Sequence, residues 1–118
     1  MGSDKIWLFD TTLRDGGQTR GVDFSRADKV AIAHALDDIG IDYIEAGWPG
    51  ANPTDDAFFA KPPKMKNAKL VSFGMTRRGG RSTANDPGLS AVIDAEADAS
   101  CLVGKTWDFH VKTALNTT

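Results

Sequence analysis

The chain has 118 residues, 41% of them hydrophobic and 25% charged, which gives one domain with enough apolar material for a core and excludes disorder. A net charge of −2 supplies no electrostatic footprint for nucleic acid or an anionic membrane, and no apolar run approaches the roughly 20 residues needed to span a bilayer. The single cysteine, Cys101, cannot form an internal disulfide, so a reducing, cytoplasmic setting is expected.

At the N-terminus, Met1-Gly2-Ser3-Asp4 is too polar and too short for a signal peptide. Ile6–Phe9 has the length and composition of a buried strand. A Gly-rich stretch, Asp10–Phe24, follows, and Ser25-Arg-Ala-Asp28 then matches a capping box with Ser25 as cap and Asp28 reaching back. Val30, Ala33 (or Ile32), Leu36 and Ile39 keep helical spacing on one face, and Gly40 stands where a helix C-terminus favours a left-handed residue. Ile41–Ala46 reads as a second strand, followed by the loop Gly47–Pro53 and a short helix over Thr54–Phe59, stopped by Pro62-Pro63. Leu70–Phe73 is the third strand, and the polar loop Gly74–Asp86 leads to Pro87 as the first residue of a helix through about Ala95. Ala99–Val103 is the fourth strand and Trp107–Leu115 the last helix.

Strand starts fall near positions 6, 41, 69 and 99, and alternating strands and helices imply parallel strands joined by crossover helices. A (β/α)₈ barrel of ~250 residues uses about 31 per unit, which this rhythm matches for four units. A small doubly wound sheet is the alternative that rhythm alone leaves open.

The chemistry concentrates in Asp10-Thr-Thr-Leu-Arg-Asp-Gly-Gly-Gln18, just beyond the first strand. In parallel α/β proteins function gathers at the carboxyl ends of strands. Strand alternation would send Arg14 and Asp15 to opposite faces. Both serve one site only if the strand breaks, and Gly16-Gly17 supplies that freedom. A surface Arg-Asp pair beside a Gly-rich turn is the plain alternative.

This string resembles that of the Claisen-condensing metal enzymes that include isopropylmalate, homocitrate and citramalate synthases, and more loosely that of HMG-CoA lyase. Tyr43-Ile-Glu-Ala-Gly-Trp-Pro-Gly-Ala-Asn-Pro53, with Asp56 and Phe58-Phe59, resembles the same family at the end of its second strand. The Gly47–Pro53 string, Thr76-Arg77-Arg78 and Gly104–His110 are similar to the citramalate synthase branch. The resemblance covers essentially Ile6–Thr118 and implies the N-terminal half, about four βα units, of a (β/α)₈ (TIM) barrel. It further implies an acetyl-CoA-dependent acyltransferase that condenses an α-keto acid, pyruvate foremost, with an acetyl group, in branched-chain amino-acid (isoleucine) biosynthesis. Related synthases acting on other keto acids, or a carbon–carbon lyase, are the neighbouring alternatives.

By the same resemblance, Asp15 matches the first-strand ligand of a divalent metal (Mg, Mn or Zn), an oxygen donor suited to all three. Arg14 matches the arginine that steadies negative charge on the enolate or keto oxygen. Gln18 matches a polar residue bordering metal and substrate. Glu45 matches the second-strand carboxylate, joining the metal shell or moving a proton, with pairing to an arginine as the other reading. Phe73 and Leu102, near the ends of strands three and four, are candidates for the wall around the acceptor's side chain, with ordinary packing as the alternative. Arg77, Arg78 and Arg81 read as a solvated loop with CoA phosphates as the other possibility. His34 and His110 are not expected to be ligands, Trp48 and Trp107 read as packing aromatics, and Cys101 reads as a small core hydrophobe.

The family's His-x-His metal ligands, its later catalytic carboxylate and its C-terminal regulatory region have no counterpart in these 118 residues. The expectation is therefore a piece of a longer protein, inactive alone, whose full-length form is a homodimer with small-molecule substrates.

Overall fold

A computed structural model describes residues 4–118; the reading of Met1–Ser3 lies outside them. Four strands, β1 (Phe9–Asp10), β2 (Tyr43–Gly47), β3 (Lys69–Met75) and β4 (Ala99–Val103), form one sheet. Every neighbouring pair is parallel and the order is β1-β2-β3-β4. Helices α1 (Arg26–Asp38), α2 (Pro53–Ala60) and α3 (Pro87–Asp94) join successive strands, and α4 (Asp108–Ala114) follows β4. A doubly wound sheet would place its first strand between the second and third. The sequential order is that of the N-terminal part of a (β/α)₈ barrel. No helix among the described residues is long and apolar enough to cross a membrane.

Local chemistry sets the helix ends. Ser25 and Asp28 form the full capping box: Ser25 Oγ accepts from Asp28 N–H at 3.1 Å, and Ser25 N–H donates to Asp28 Oδ2 at 2.9 Å. Gly40 lies just past α1 with φ +94°, which a side chain would resist. Asn52 caps α2 and Asp86 caps α3, each followed by a proline as the first helical residue. The Asp86 carboxylate accepts from Arg78, Gly88 and Leu89 N–H groups. The Arg78 bond, aided by the others and opposed by burial, holds this carboxyl below its ordinary value.

One face of the sheet carries Ile44, Ala46 and Leu70, which pack with Ala33 of α1 and Phe58 and Phe59 of α2. The structure corrects two burial expectations. Ile6–Phe9 was expected as a buried strand, but only Phe9 joins β1 and Ile6 is 80% exposed. Among the described residues β1 pairs only with β2, and Trp7 and Phe9 lay their rings near Tyr43, at 5.9 and 6.1 Å between centroids. Ile39, expected on the apolar face of α1, is the exposed C-cap residue. The stripe that turns inward is Lys29, Ala33 and Asp37, spaced four apart on one helix face.

Asp37 is buried because its carboxylate organises the approach to β3. It accepts from the N–H groups of Lys66, Asn67 and Ala68 at 2.5, 3.0 and 2.7 Å. Burial pushes this carboxyl up, but the N–H donors outweigh it and hold the group below its ordinary value. A buried carboxylate with three backbone donors is satisfied, as a buried charge must be.

Candidate active site

Asp10 ends β1 and accepts from Thr12 N–H and Thr12 Oγ1, while the N–H groups of Asp15 and Gly16 both donate to Thr11 O. These bonds turn the chain out of the sheet, and Gly16–Gln18 closes as one turn of 3₁₀ helix. Arg14 and Asp15 therefore emerge at the same carboxyl end despite adjacent positions, although the strand stops at Asp10 and not at the expected glycine break, where neither Gly16 nor Gly17 takes a positive φ.

Four of the expected site residues meet around one guanidinium. Arg14 Nε donates to Glu45 Oε1 at 2.5 Å, and Nη1 donates to Gln18 Oε1 at 3.2 Å and Asp15 Oδ1 at 3.4 Å. Phe73 lies beneath, its ring centroid 4.0 Å from Arg14 Cζ, a cation–π distance. Trp48 meets the edge of Phe73 at 5.1 Å.

Burial separates the two carboxylates. Glu45 is 1% exposed and committed to Arg14, so it takes the pairing reading. The Asp15 side chain is 66% exposed with a long contact to Arg14; such a pair contributes at most about 1 kcal/mol and leaves the carboxylate open to another cation. Among the described residues no group of three or more His, Cys, Asp or Glu side chains stands together for a metal. The donor set fits one oxygen corner of a coordination sphere, at Asp15.

Leu102 is not in this site, which corrects its expected role. Phe73 pairs in register with Cys101, and Leu102 with Gly74. With a period of two, Leu102 thus points to the opposite face, near α3 and beside Gly74. Cys101 shares the Phe73 face instead and is half-buried rather than core. Burial, then the charge of Glu45 and a hydrogen bond to it, push the thiol above its ordinary 9.0, with Arg14 opposing. Strand alternation, counted from the residue in register with Phe73, is the signal that finds it.

His34 and His110 are exposed. Arg77 folds back onto the carbonyls of Arg78 and Arg81, and Arg81 onto that of Asn85, the arrangement of a self-bonded exposed loop.

The sequence reading missed Lys29 and Asp55, behind the pair. Lys29 Nζ donates to Leu13 O at 3.0 Å, Ala46 O at 2.9 Å and Asp55 Oδ1 at 2.5 Å. Asp55 Oδ2 accepts from Trp48 N–H at 2.8 Å and Asn52 Nδ2 at 3.1 Å. Gly47 makes room: a Cβ there would stand 2.6 Å from Asp55 Cγ. A cleft of about 220 Å³ opens alongside, between Arg14, Gln18, Asp23, Trp48 and Asn52. The available signal was the Lys29–Ala33–Asp37 stripe, which puts two charges on a helix face with a small residue between them.

Comparison with known proteins gives a consistent set. The sequence profile of the HMGL-like family matches residues 5–118. The (R)-citramalate synthase of Aquifex aeolicus is 52% identical over 98% of this chain and 22% of its own length. That of Geobacter sulfurreducens is 53% identical over 93% and 21%. A homocitrate synthase of Methanopyrus kandleri is 34% identical over 92% and 26%. The chain thus spans about a fifth to a quarter of the length of these curated relatives.

Proposed function

Because the chain belongs to the HMGL-like family, we propose that it forms part of an acyltransferase active site condensing the acetyl group of acetyl-CoA with an α-keto acid, pyruvate foremost, to give citramalate. The observation that carries this reading is the Arg14 guanidinium, braced on buried Glu45 beside the open carboxylate of Asp15 at the carboxyl end of the sheet. The names of the relatives at about half identity favour pyruvate; those named homocitrate and 2-isopropylmalate synthase are 34% and 36% identical.

Each residue has a physical task in this chemistry. Asp15 is the residue that would offer one carboxylate oxygen to a divalent metal. That metal, when bound, supplies Lewis-acid polarisation of the keto carbonyl. Arg14 directs N–H donors at the oxygen on which negative charge develops, an interaction that strengthens as the charge grows. Glu45 fixes the guanidinium through Nε and so leaves its outer edge for the reacting oxygens. Gln18 holds Nη1 from the other side. Phe73, backed by Trp48, covers one side of the guanidinium with apolar surface, and excluding water there raises the worth of each charge.

The test follows free thiol release from acetyl-CoA by the enzyme that carries this chain, against pyruvate, 2-oxoisovalerate and 2-oxoglutarate, with and without chelator. Release fastest with pyruvate and lost in chelator is expected. Keto-acid-independent release would overturn the condensation, undiminished release in chelator would remove the metal, and a preference for 2-oxoisovalerate would reassign the acceptor.

A further inference from the structure

We propose that Lys29 is a positioning residue for the Arg14–Glu45 pair, clamping the two backbone segments that carry it. The proposal rests on the reading of Arg14 given above. Lys29 is 4% exposed and its partner Asp55 5%. An ammonium has three donors and no acceptor, and here all three are spent on Leu13 O, Ala46 O and Asp55 Oδ1. The two carbonyls are the informative partners. Leu13 precedes Arg14 and Ala46 follows Glu45, so a single cation grips the main chain next to each member of the pair.

Asp55 extends the clamp. Its second oxygen holds Trp48 N–H, and Trp48 packs against the Phe73 ring that lies under Arg14. The bare Gly47, whose Cβ would collide with the Asp55 carboxylate, lets that carboxylate reach the strand end. An apolar pair at positions 29 and 55 would fill the space without desolvating two charges, and such replacements of a whole buried ion pair are often neutral or stabilising. It could not hold two carbonyls together. The buried cation is therefore explained by what it fixes in place rather than by stability. Lys29 has no donor left for substrate, so it acts through Arg14 and Glu45.

A double-mutant cycle in the enzyme that carries this chain tests the clamp, using Arg14→Ala, Lys29→Met and the pair. Arg14→Ala should lower kcat by about 10²–10³, the loss typical of one removed oxyanion donor. Lys29→Met should lower kcat by roughly 10–100-fold, the scale of a misplaced catalytic group, with the KM for acetyl-CoA shifted far less. Once Arg14 is absent, Lys29→Met should cost no more than about twofold, because both changes act through one group. Asp37→Asn, which disturbs a buried carboxylate bonded to residues 66–68, is the control and should add independently to Arg14→Ala. Asp55→Asn keeps the volume and one acceptor oxygen; it should show a smaller kcat loss coupled to Arg14 in the same way, and it carries the test if Lys29→Met does not fold. Losses at 29 and 55 that multiply fully with Arg14→Ala would overturn the positioning role and leave the site reading intact. Unchanged turnover in Arg14→Ala would overturn both.

Discussion

Lysine at position 14 is expected to recover less than about tenfold of the 10²–10³ in kcat lost with alanine, although it restores the positive charge. The reason lies in the fork. Arg14 bonds Glu45 through Nε while Nη1 reaches Gln18 and Asp15, so one planar group spans three partners in fixed directions. A lysine ammonium is a compact point charge on a flexible stem and cannot brace on the buried carboxylate while presenting a second edge. Glu45, 1% exposed, would lose its partner or hold the ammonium back from the mouth. Steady-state kinetics with saturating acetyl-CoA separates the cases. Near-native turnover in Arg14→Lys would mean that charge alone matters and that the geometry drawn here is incidental.

Phe58→Ala should destabilise the folded chain by about 3–5 kcal/mol, the usual cost of emptying a buried phenylalanine site. Phe58 has no exposed surface and lies in the cluster of Ala33, Ile44, Phe59 and Leu70. Its ring meets Phe59 edge-on at 5.4 Å between centroids, so truncation removes an aromatic pair as well as apolar area. Domains of ordinary stability have only about 5–15 kcal/mol to lose, and the variant is expected to unfold at markedly lower urea. Ile93→Ala offers the contrast: Ile93 is 78% exposed, and its change should stay within about 0.5 kcal/mol. Similar midpoints for the two variants would contradict the assignment of the core to the α1–α2 face of the sheet.

How much of this was legible in the sequence depends on how local the physics is. Ser25–Asp28, Gly40 and Pro87 act within one turn of chain, and each helix boundary they imply is where the structure has it. Arg14 and Asp15 share one end because β1 stops at Asp10 and the bonds to Asp10 and Thr11 O turn the chain there, a local cause but one that lies before the pair and not at Gly16-Gly17. Lys29 was hidden because its partners are 16, 17 and 26 residues away, and helical periodicity alone assigns a lysine to solvent. The exposure of Ile6–Phe9 depends on which strands flank β1, which composition does not encode. Leu102 was expected at the pocket wall from its place near the end of strand four, but the β3–β4 register decides which face it and Cys101 occupy.

The central claim, that this site belongs to an enzyme joining an acetyl methyl carbon to a keto carbonyl, is tested most directly by carbon connectivity. The enzyme carrying this chain would be given pyruvate, a divalent metal and acetyl-CoA carbon-labelled at its methyl group, and the products read by nuclear magnetic resonance. The label is expected to become a methylene bonded to the former keto carbon of pyruvate, with free CoA released in equal amount. Label recovered only as acetate, or pyruvate left intact while thiol accumulates, would contradict it.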